Sequence, residues 1–159
     1  MENIRELKNS KIVTDILNQA FMTVAIQFNF TKENAPRFPA FIDLNVIENS
    51  MNNGLKMFGY ELNKQIVACV GYSHYKDQIY FIERLATLPE YRHLGIGKKL
   101  MKFAENKIRE NNGKIIEIHV VDVNKTLIDW YKKLDFIGIR IDEIKAVPFN
   151  SYVMNKNLD

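Results

Sequence analysis

The amino-acid sequence predicts a mixed α+β domain, and two observations lead to this fold class. In the N-terminal half, extended apolar runs follow one another across short polar turns, as they do in antiparallel hairpins. In the C-terminal half, strand-like runs alternate with amphipathic segments, and this strand–helix–strand–helix unit should form a right-handed crossover. Neither half contains a repeat, a low-complexity stretch or a linker, so we expect residues 1–159 to form one domain.

Each element of the first half has its own local signal. Ser10 is the expected N-cap of the first helix, because apolar residues recur at helical spacing from Ile12 to Val24. Proline residues interrupt the pattern between residues 28 and 39, and the turn at residues 62–65 indicates a hairpin. The expected elements are strand 4–7, a first helix that starts at Ser10 and continues past Val24 until the pattern breaks at Phe28, helix 39–51, and strands 55–61, 66–75 and 78–87.

The second half starts with a helix whose inner face carries four apolar residues: Leu100, Phe103, Ala104 and Ile108. The run Asn111-Asn112-Gly113 should end it, since glycine and asparagine adopt the left-handed conformation of helix C-termini. Residues 115–121 are almost continuously apolar, which is typical of a strand covered on both faces. A helix from Asn124 to Leu134 and two closing strands, 136–147 and 149–156, complete the expected order.

Composition excludes several classes of function. A net charge of +3 and the lack of a DNA-reading motif argue against nucleic acid as a partner. The three histidines lack the paired spacing of zinc sites, so we expect no metal. No apolar run reaches the ~20 residues that span a membrane, and the N-terminus has no apolar signal core, so we expect a cytoplasmic protein. The single cysteine, Cys69, lies in an apolar run and is expected to be a buried structural thiol.

The most informative segment is the glycine-bearing loop at residues 91–100, between a strand and an amphipathic helix. Such a loop presents free N–H groups and the positive end of a helix dipole to an anion, although a tight turn without a ligand is the simpler alternative. The dinucleotide pattern fails because Leu100 follows Gly95-x-Gly97 where glycine is required. The P-loop pattern fails because Lys99 follows Gly97-Lys98 and no glycine lies five residues before Gly97.

The remaining pattern, R-x-x-G-x-G within residues 85–101, resembles the acetyl-CoA-binding motif of the GNAT superfamily of N-acetyltransferases. A second block at residues 123–136, asparagine followed by a helix ending in Y-x-K-x-D-F, resembles the later signature of that family. Asp135 replaces the usual glycine there, and aspartate also tolerates the left-handed conformation. The resemblance covers residues 66–136 and implies a mixed, mostly antiparallel sheet of six to seven strands with helices on both faces.

The resemblance also implies which residues bind acetyl-CoA as a co-substrate. The pyrophosphate would contact backbone N–H groups of the loop, where glycines allow close approach: Arg92, His93, Leu94, Gly95, Ile96, Gly97 and Lys98. The preceding strand of the family splays from its neighbour and binds the pantetheine arm through backbone atoms, here those of Leu85, Ala86 and Thr87. Asn124 either caps its helix alone or also contacts the cofactor.

Two side chains are candidates for catalysis. Tyr131 matches the family's tyrosine that protonates the leaving thiolate, and the alternative is a half-buried aromatic residue. Glu83 interrupts an apolar strand and is either the general base for the amine or one half of a salt bridge. His74, His119 or a chain of water molecules are the other candidates for the base.

The expected activity is transfer of an acetyl group to a primary amine by direct attack, without an acyl-enzyme. The acceptor is a small molecule or a peptide, and the aromatic residues around 28–41 would give its pocket an apolar part, unless they pack as core or lid. The alternative is a sensor that binds acyl-CoA without catalysis. The last two strands pair across a dimer in many relatives, so a homodimer is one expected assembly.

Overall fold

The computed structural model describes residues 3–159, and within them a seven-stranded sheet is combined with four α-helices. The strands are β1 Ile4–Leu7, β2 Lys56–Leu62, β3 Gln65–Lys76, β4 Ile79–Thr87, β5 Ile115–Val121, β6 Ile137–Asp142 and β7 Ser151–Asn157. The helices are α1 Ser10–Phe28, α2 Leu44–Asn52, α3 Ile96–Glu110 and α4 Lys125–Lys133, with short 3₁₀ turns at Pro39–Phe41 and Pro89–Tyr91.

The sheet is mixed but mostly antiparallel, as predicted. Its strand order is β1-β2-β3-β4-β5-β7-β6, and β4 with β5 is the parallel pair among the described strands. Helix α3 connects these two strands, because a parallel pair needs a crossover connection. Strand β3 is buried at every residue from Val67 to Tyr72, and since successive side chains point to opposite faces, both faces of the sheet are covered.

Strands β4 and β5 separate soon after they begin to pair. Their register runs from Ile79↔Ile115 to Phe81↔Glu117 and then stops, although both strands continue. A bulge in β4 opposite β3 adds to this divergence, since Gly71 pairs with Glu83 whereas Cys69 pairs with Ala86. The sheet therefore opens at its centre, next to the C-terminal ends of both strands.

Three predicted boundaries were wrong, and in each case other hydrogen bonds determine where the element begins or ends. Asn9, not Ser10, caps α1, because its Oδ1 accepts from the N–H groups of Lys11 at 2.9 Å and Ile12 at 3.4 Å. The predicted helix 39–51 is divided, because Asn18 Nδ2 donates to the carbonyl oxygens of Pro39 (2.9 Å) and Ile42 (3.2 Å).

The predicted strand 136–147 is shorter, and β6 ends where its pairing with β7 ends, at Asp142↔Ser151. The connection that follows is fixed by Asn150, whose Oδ1 accepts from Ile144 N at 3.4 Å and whose N–H donates to Asp122 Oδ1 at 3.0 Å. Residues 143–150 are therefore a loop rather than strand.

The described part of the chain contains no helix that is both long and apolar enough to cross a lipid bilayer.

Candidate active site

The glycine-bearing loop has the free N–H groups that an anion site requires. His93 (φ 66°) and Gly95 (φ 79°) are left-handed, and α3 begins at Ile96 directly after them. No oxygen atom of residues 3–159 accepts a hydrogen bond from the N–H groups of His93 to Lys98, whereas Lys99 N donates to Gly95 O at 3.2 Å. These consecutive donors lie at the positive end of the α3 dipole, which favours a bound phosphate.

The two glycines of the loop have different reasons to be glycine. Gly95 has a positive φ that other L-residues rarely adopt, while a Cβ there would meet no atom within 4 Å. At Gly97 the backbone is ordinary, and an added Cβ would lie 3.6 Å from the nearest atom, in the Trp130 ring, which is normal van der Waals contact. Packing within the protein does not require glycine at position 97, and this agrees with close approach by a ligand.

Arg92 uses its side chain to hold this loop against the rest of the fold. Its guanidinium donates to the carbonyl oxygen of Ala20 at 2.7 Å, to Thr23 Oγ1 at 2.9 Å and to the carbonyl oxygen of Thr87 at 3.3 Å. The backbone N–H of Arg92 donates to the carbonyl oxygen of Pro89 at 3.3 Å. Burial lowers the pKa of Arg92, and the nearby Glu90 partly opposes that shift. The structure thus shows a positioning role for Arg92, and direct contact with a cofactor stays a prediction.

A cavity of about 860 Å³ lies at the opening between β4 and β5. Glu83, Arg84 and Leu85 of β4 line one side, and residues 118–121 of β5 line another. The remaining walls come from α1, the segment 35–39, α4 and the loop 143–150. Leu85 faces the cavity, whereas Ala86 is buried opposite Cys69 and the Thr87 carbonyl accepts from Arg92.

Tyr131 is placed on α4 so that its hydroxyl reaches this cavity. The residue is only 7% exposed and its ring packs edge-on against Trp130 and Phe136. The hydroxyl makes no hydrogen bond with residues 3–159, yet it is not enclosed by protein, so its free side is the cavity that Tyr131 lines. Burial raises the pKa of Tyr131, and its hydroxyl therefore stays protonated at neutral pH.

Asn124 caps α4, as predicted, and also lines the cavity. Its Oδ1 accepts from Leu127 N at 3.2 Å, which satisfies one of the free donors of the helix. Asp135 follows α4 with φ 72°, so the aspartate that replaces the family's glycine does adopt the left-handed conformation. Contact between Asn124 and a cofactor stays a prediction.

The candidate bases occupy different surroundings. Glu83 is half-buried at the cavity, within 3.5 Å of Ser73 Oγ, and no cationic nitrogen of residues 3–159 lies within 4.0 Å of its carboxylate, so the alternative of a salt bridge finds no support. His119 also lines the cavity, and its Nε2 donates to the buried Glu117 carboxylate at 2.9 Å. His74 lies elsewhere, donating from Nε2 to the Asp77 carbonyl oxygen at 2.8 Å.

The predicted aromatic segment contributes to the pocket in part. Phe38 lines the cavity, whereas Phe30 is buried between Phe28, Phe38 and Phe149 as part of a second hydrophobic core. Sequence reasoning missed several other wall residues, among them Phe21, Val24, Arg84, Leu127 and those of the loop 143–150, which includes Phe149. Helical periodicity placed Phe21 and Val24 on α1, but no local signal shows which face of a helix borders a cavity.

Cys69 is fully buried in β3, and its Sγ lies 3.4 Å from the Arg84 carbonyl oxygen. Burial raises the pKa of this thiol to about 12, with the positive charge of Arg84 acting weakly in the opposite direction. A buried thiol that stays protonated is not a nucleophile, which agrees with the predicted structural role.

Solved structures with the same fold come from several organisms. The PaiA N-acetyltransferase of Thermoplasma acidophilum, in complex with coenzyme A, is 18% identical with a TM-score of 0.74, and the match covers 98% of each chain. The ribosomal-protein-S18-alanine N-acetyltransferase of Escherichia coli is 14% identical, with a TM-score of 0.74 over 99% of this chain and 94% of that one. An acetyltransferase of the GNAT family from Staphylococcus aureus is 18% identical, with a TM-score of 0.74 over 99% of both chains.

These identities are low, so the structures are evidence of a shared fold alone. The family assignment comes from the sequence model of the acetyltransferase (GNAT) family, which matches residues 16–136 and so includes both the glycine-bearing loop and α4. With this match and the geometry described above, the chain belongs to the GNAT family of acetyltransferases.

Proposed function

We propose that this protein transfers the acetyl group of acetyl-CoA to a primary amine by direct attack. The observation that carries the proposal is the arrangement around the cavity: Glu83, Leu85 and Tyr131 line it together, at the place where β4 and β5 separate. A base, a strand edge and a proton donor are the groups that such a transfer needs at one site.

The residues present fit coenzyme A as the donor. Its pyrophosphate requires several N–H donors without internal partners, and residues 93–98 provide them at the N-terminus of α3. Beyond Phe81, β4 has no strand partner on its β5 side, so its backbone can bind an extended pantetheine arm as a further strand would bind. The exposed side chains of Lys98 and Lys99 add positive charge within the glycine-bearing loop.

The reaction balances with the groups on the cavity wall. Glu83 would accept a proton from the ammonium form of the acceptor, and the free amine nitrogen would attack the acetyl carbonyl carbon. A backbone N–H near Leu85 would stabilise the oxygen as it becomes negative. The carbon–sulfur bond then breaks while the Tyr131 hydroxyl donates a hydrogen bond to the leaving sulfur. The second proton of the attacking nitrogen would pass through water to the thiolate, and Glu83 would return its proton to solvent. The products are the N-acetylated amine and coenzyme A.

The raised pKa of Tyr131 qualifies its role. A tyrosine with a pKa above its ordinary value of ~10 is a weaker acid than an ordinary thiol of ~8.5, so full proton transfer in water would be uphill. Desolvation raises thiol pKa values as well, as at Cys69, and closure of the cavity around bound substrates would act on the leaving thiol in the same direction. Tyr131 would therefore stabilise the thiolate mainly by donating a hydrogen bond as its charge develops.

A screen of primary amines tests the proposal. The protein is mixed with acetyl-CoA and each amine, and release of free thiol is followed against a control without amine. We expect thiol release that depends on one class of amine, with N-acetylated product identified by mass spectrometry. Calorimetric binding of coenzyme A without turnover of any amine would contradict catalysis and support the acyl-CoA sensor instead.

A further inference from the structure

Arg84 has an unusual backbone conformation at the wall of the cavity. Between the pairs Gly71↔Glu83 and Cys69↔Ala86, two residues of β4 oppose the single residue Val70, and Arg84 is the first of the two. Its φ is 59°, in the left-handed region, where an arginine is sterically disfavoured. Backbone strain of this kind persists where packing imposes it, and such strain is concentrated at functional sites.

The guanidinium of Arg84 lacks a partner in the described part of the chain. Its Nε is fully buried and makes no hydrogen bond, and no carboxylate of residues 3–159 lies within 4.0 Å of its nitrogens. Burial lowers the pKa of Arg84, while the charge of the adjacent Glu83 raises it. By contrast, Arg5, Arg92 and Arg140 all donate to oxygen atoms. The two terminal nitrogens of Arg84 also have no partner among residues 3–159, but unlike Nε they are not enclosed, so an anionic ligand can reach them. A half-buried cation without a partner gains from such a ligand.

The wall of the cavity around Arg84 is positively charged in one part and apolar in the rest. Arginine and lysine side chains outnumber carboxylates in its wall, since Arg37, Arg84 and Lys145 line it together with Glu83. Apolar side chains form much of the rest: Phe21, Val24, Phe38, Leu127 and Phe149. A ligand that matches these walls has an apolar frame and a negative group.

We propose that Arg84 binds an anionic group of the acceptor, so that the substrate is a primary amine carrying a carboxylate or a phosphonate-like group on an apolar frame. This inference rests on the proposed function, because it concerns the acceptor half of the same cavity. The planar guanidinium donates two parallel hydrogen bonds to either kind of anion. Glu83, which precedes Arg84 in the chain, remains free for the ammonium group of the same molecule.

Matched amines test the proposal through kcat/KM for thiol release. Phenylalanine is compared with phenethylamine, which lacks the carboxylate, and with 1-amino-2-phenylethylphosphonate, which replaces it. A second pair, 4-(aminomethyl)benzoate and benzylamine, places the anion further from the amine. We expect kcat/KM for at least one anionic amine to exceed that for its neutral partner tenfold or more. Comparison of the phosphonate with phenylalanine shows which anion is preferred.

Variants connect that preference to the side chain. Arg84→Gln should reduce the ratio of kcat/KM between the charged and neutral amines to within threefold, and Arg84→Lys should retain part of it. Arg5→Gln is the matched control, because Arg5 is an exposed arginine of β1 that pairs with Glu61 of β2 and does not line the cavity. Equal use of the charged and neutral amines by the wild type, or an unchanged ratio in Arg84→Gln, would overturn the proposal.

Binding measurements test anion recognition by Arg84 even if no amine is acetylated. The absence of acetylation would contradict the proposed function, but not the binding proposal. Calorimetry on the protein saturated with coenzyme A compares N-acetylphenylalanine with N-acetylphenethylamine. We expect the charged compound to bind at least tenfold more tightly and to lose that advantage in Arg84→Gln. Equal affinities, or no binding of either compound, would count against anion recognition by Arg84.

Discussion

Replacing Tyr131 with phenylalanine removes a single oxygen atom from the cavity wall. The hydroxyl makes no hydrogen bond with residues 3–159, so no protein group loses a partner, and the free energy of unfolding should change by less than about 0.5 kcal/mol. The leaving thiolate, however, loses a donor that stays protonated because burial raises the pKa of Tyr131. Removing one such donor from an active site typically lowers kcat by about 10²- to 10³-fold, or about 2.7–4 kcal/mol.

Three measurements on the purified variant separate chemistry from binding and folding. Thiol release in the presence of an accepted amine gives kcat, calorimetry gives the affinity for coenzyme A, and urea unfolding gives the stability. Tyr72→Phe is the matched control, because Tyr72 is also a buried tyrosine (6% exposed) but lies on β3 and does not line the cavity. Unchanged kcat in Tyr131→Phe, or an equal loss in Tyr72→Phe, would refute the assigned role.

Three further changes test the loop, the α4 cap and the buried thiol. Arg92→Ala removes two short hydrogen bonds and one long one, so the free energy of unfolding should fall by about 2–3 kcal/mol and coenzyme A should bind more weakly. Urea unfolding and calorimetry measure these two effects. In the same assays the control Arg5→Ala should lower the free energy of unfolding by less than about 1 kcal/mol. Asn124→Ala should lower the free energy of unfolding by about 1 kcal/mol, and Asn124→Ser by much less, because serine also caps helices. Weaker binding of coenzyme A by the serine variant would therefore indicate a cofactor contact. Unchanged affinity would mean that Asn124 only caps α4. The folded pKa of Cys69, about 12, exceeds the ordinary thiol value of 9.0, so the unfolded chain ionises first as pH rises. Between pH 7 and 10 the wild type should therefore lose about 1.4 kcal/mol more stability than Cys69→Ala, and parallel pH curves for the two proteins would contradict this.

The glycine-bearing loop and α4 could be predicted because their signals are local. Gly95 takes the positive φ that only glycine adopts easily, and Asn124 accepts from the N–H of a residue three positions away in its own helix. The division of the predicted helix 39–51 could not be predicted, since Asn18, more than twenty residues earlier in the chain, binds the carbonyl groups concerned.

The cavity wall illustrates the same limit. Glu83, Tyr131 and Asn124 were singled out from their motifs, and the structure brings all three to one cavity. Arg84 was not singled out, because a β-bulge depends on the register between two strands and not on the strand's own sequence. The contributions of α1 and the loop 143–150 likewise depend on tertiary packing that periodicity does not encode.

The hydrogen bonds of Arg92 have a consequence for how the two substrates are handled. One turn of α1 presents Ala20 and Thr23 to this arginine, while Phe21 and Val24, on the adjoining stripe of the same turn, border the acceptor cavity. In the proposed function, this turn of α1 would lie between the loop that binds the donor and the cavity that binds the acceptor. We therefore expect substitutions at positions 21 and 24 to act on the cavity and its acceptor preference, and a substitution of Thr23, which removes a hydrogen bond of Arg92, to act on the loop that would bind the donor.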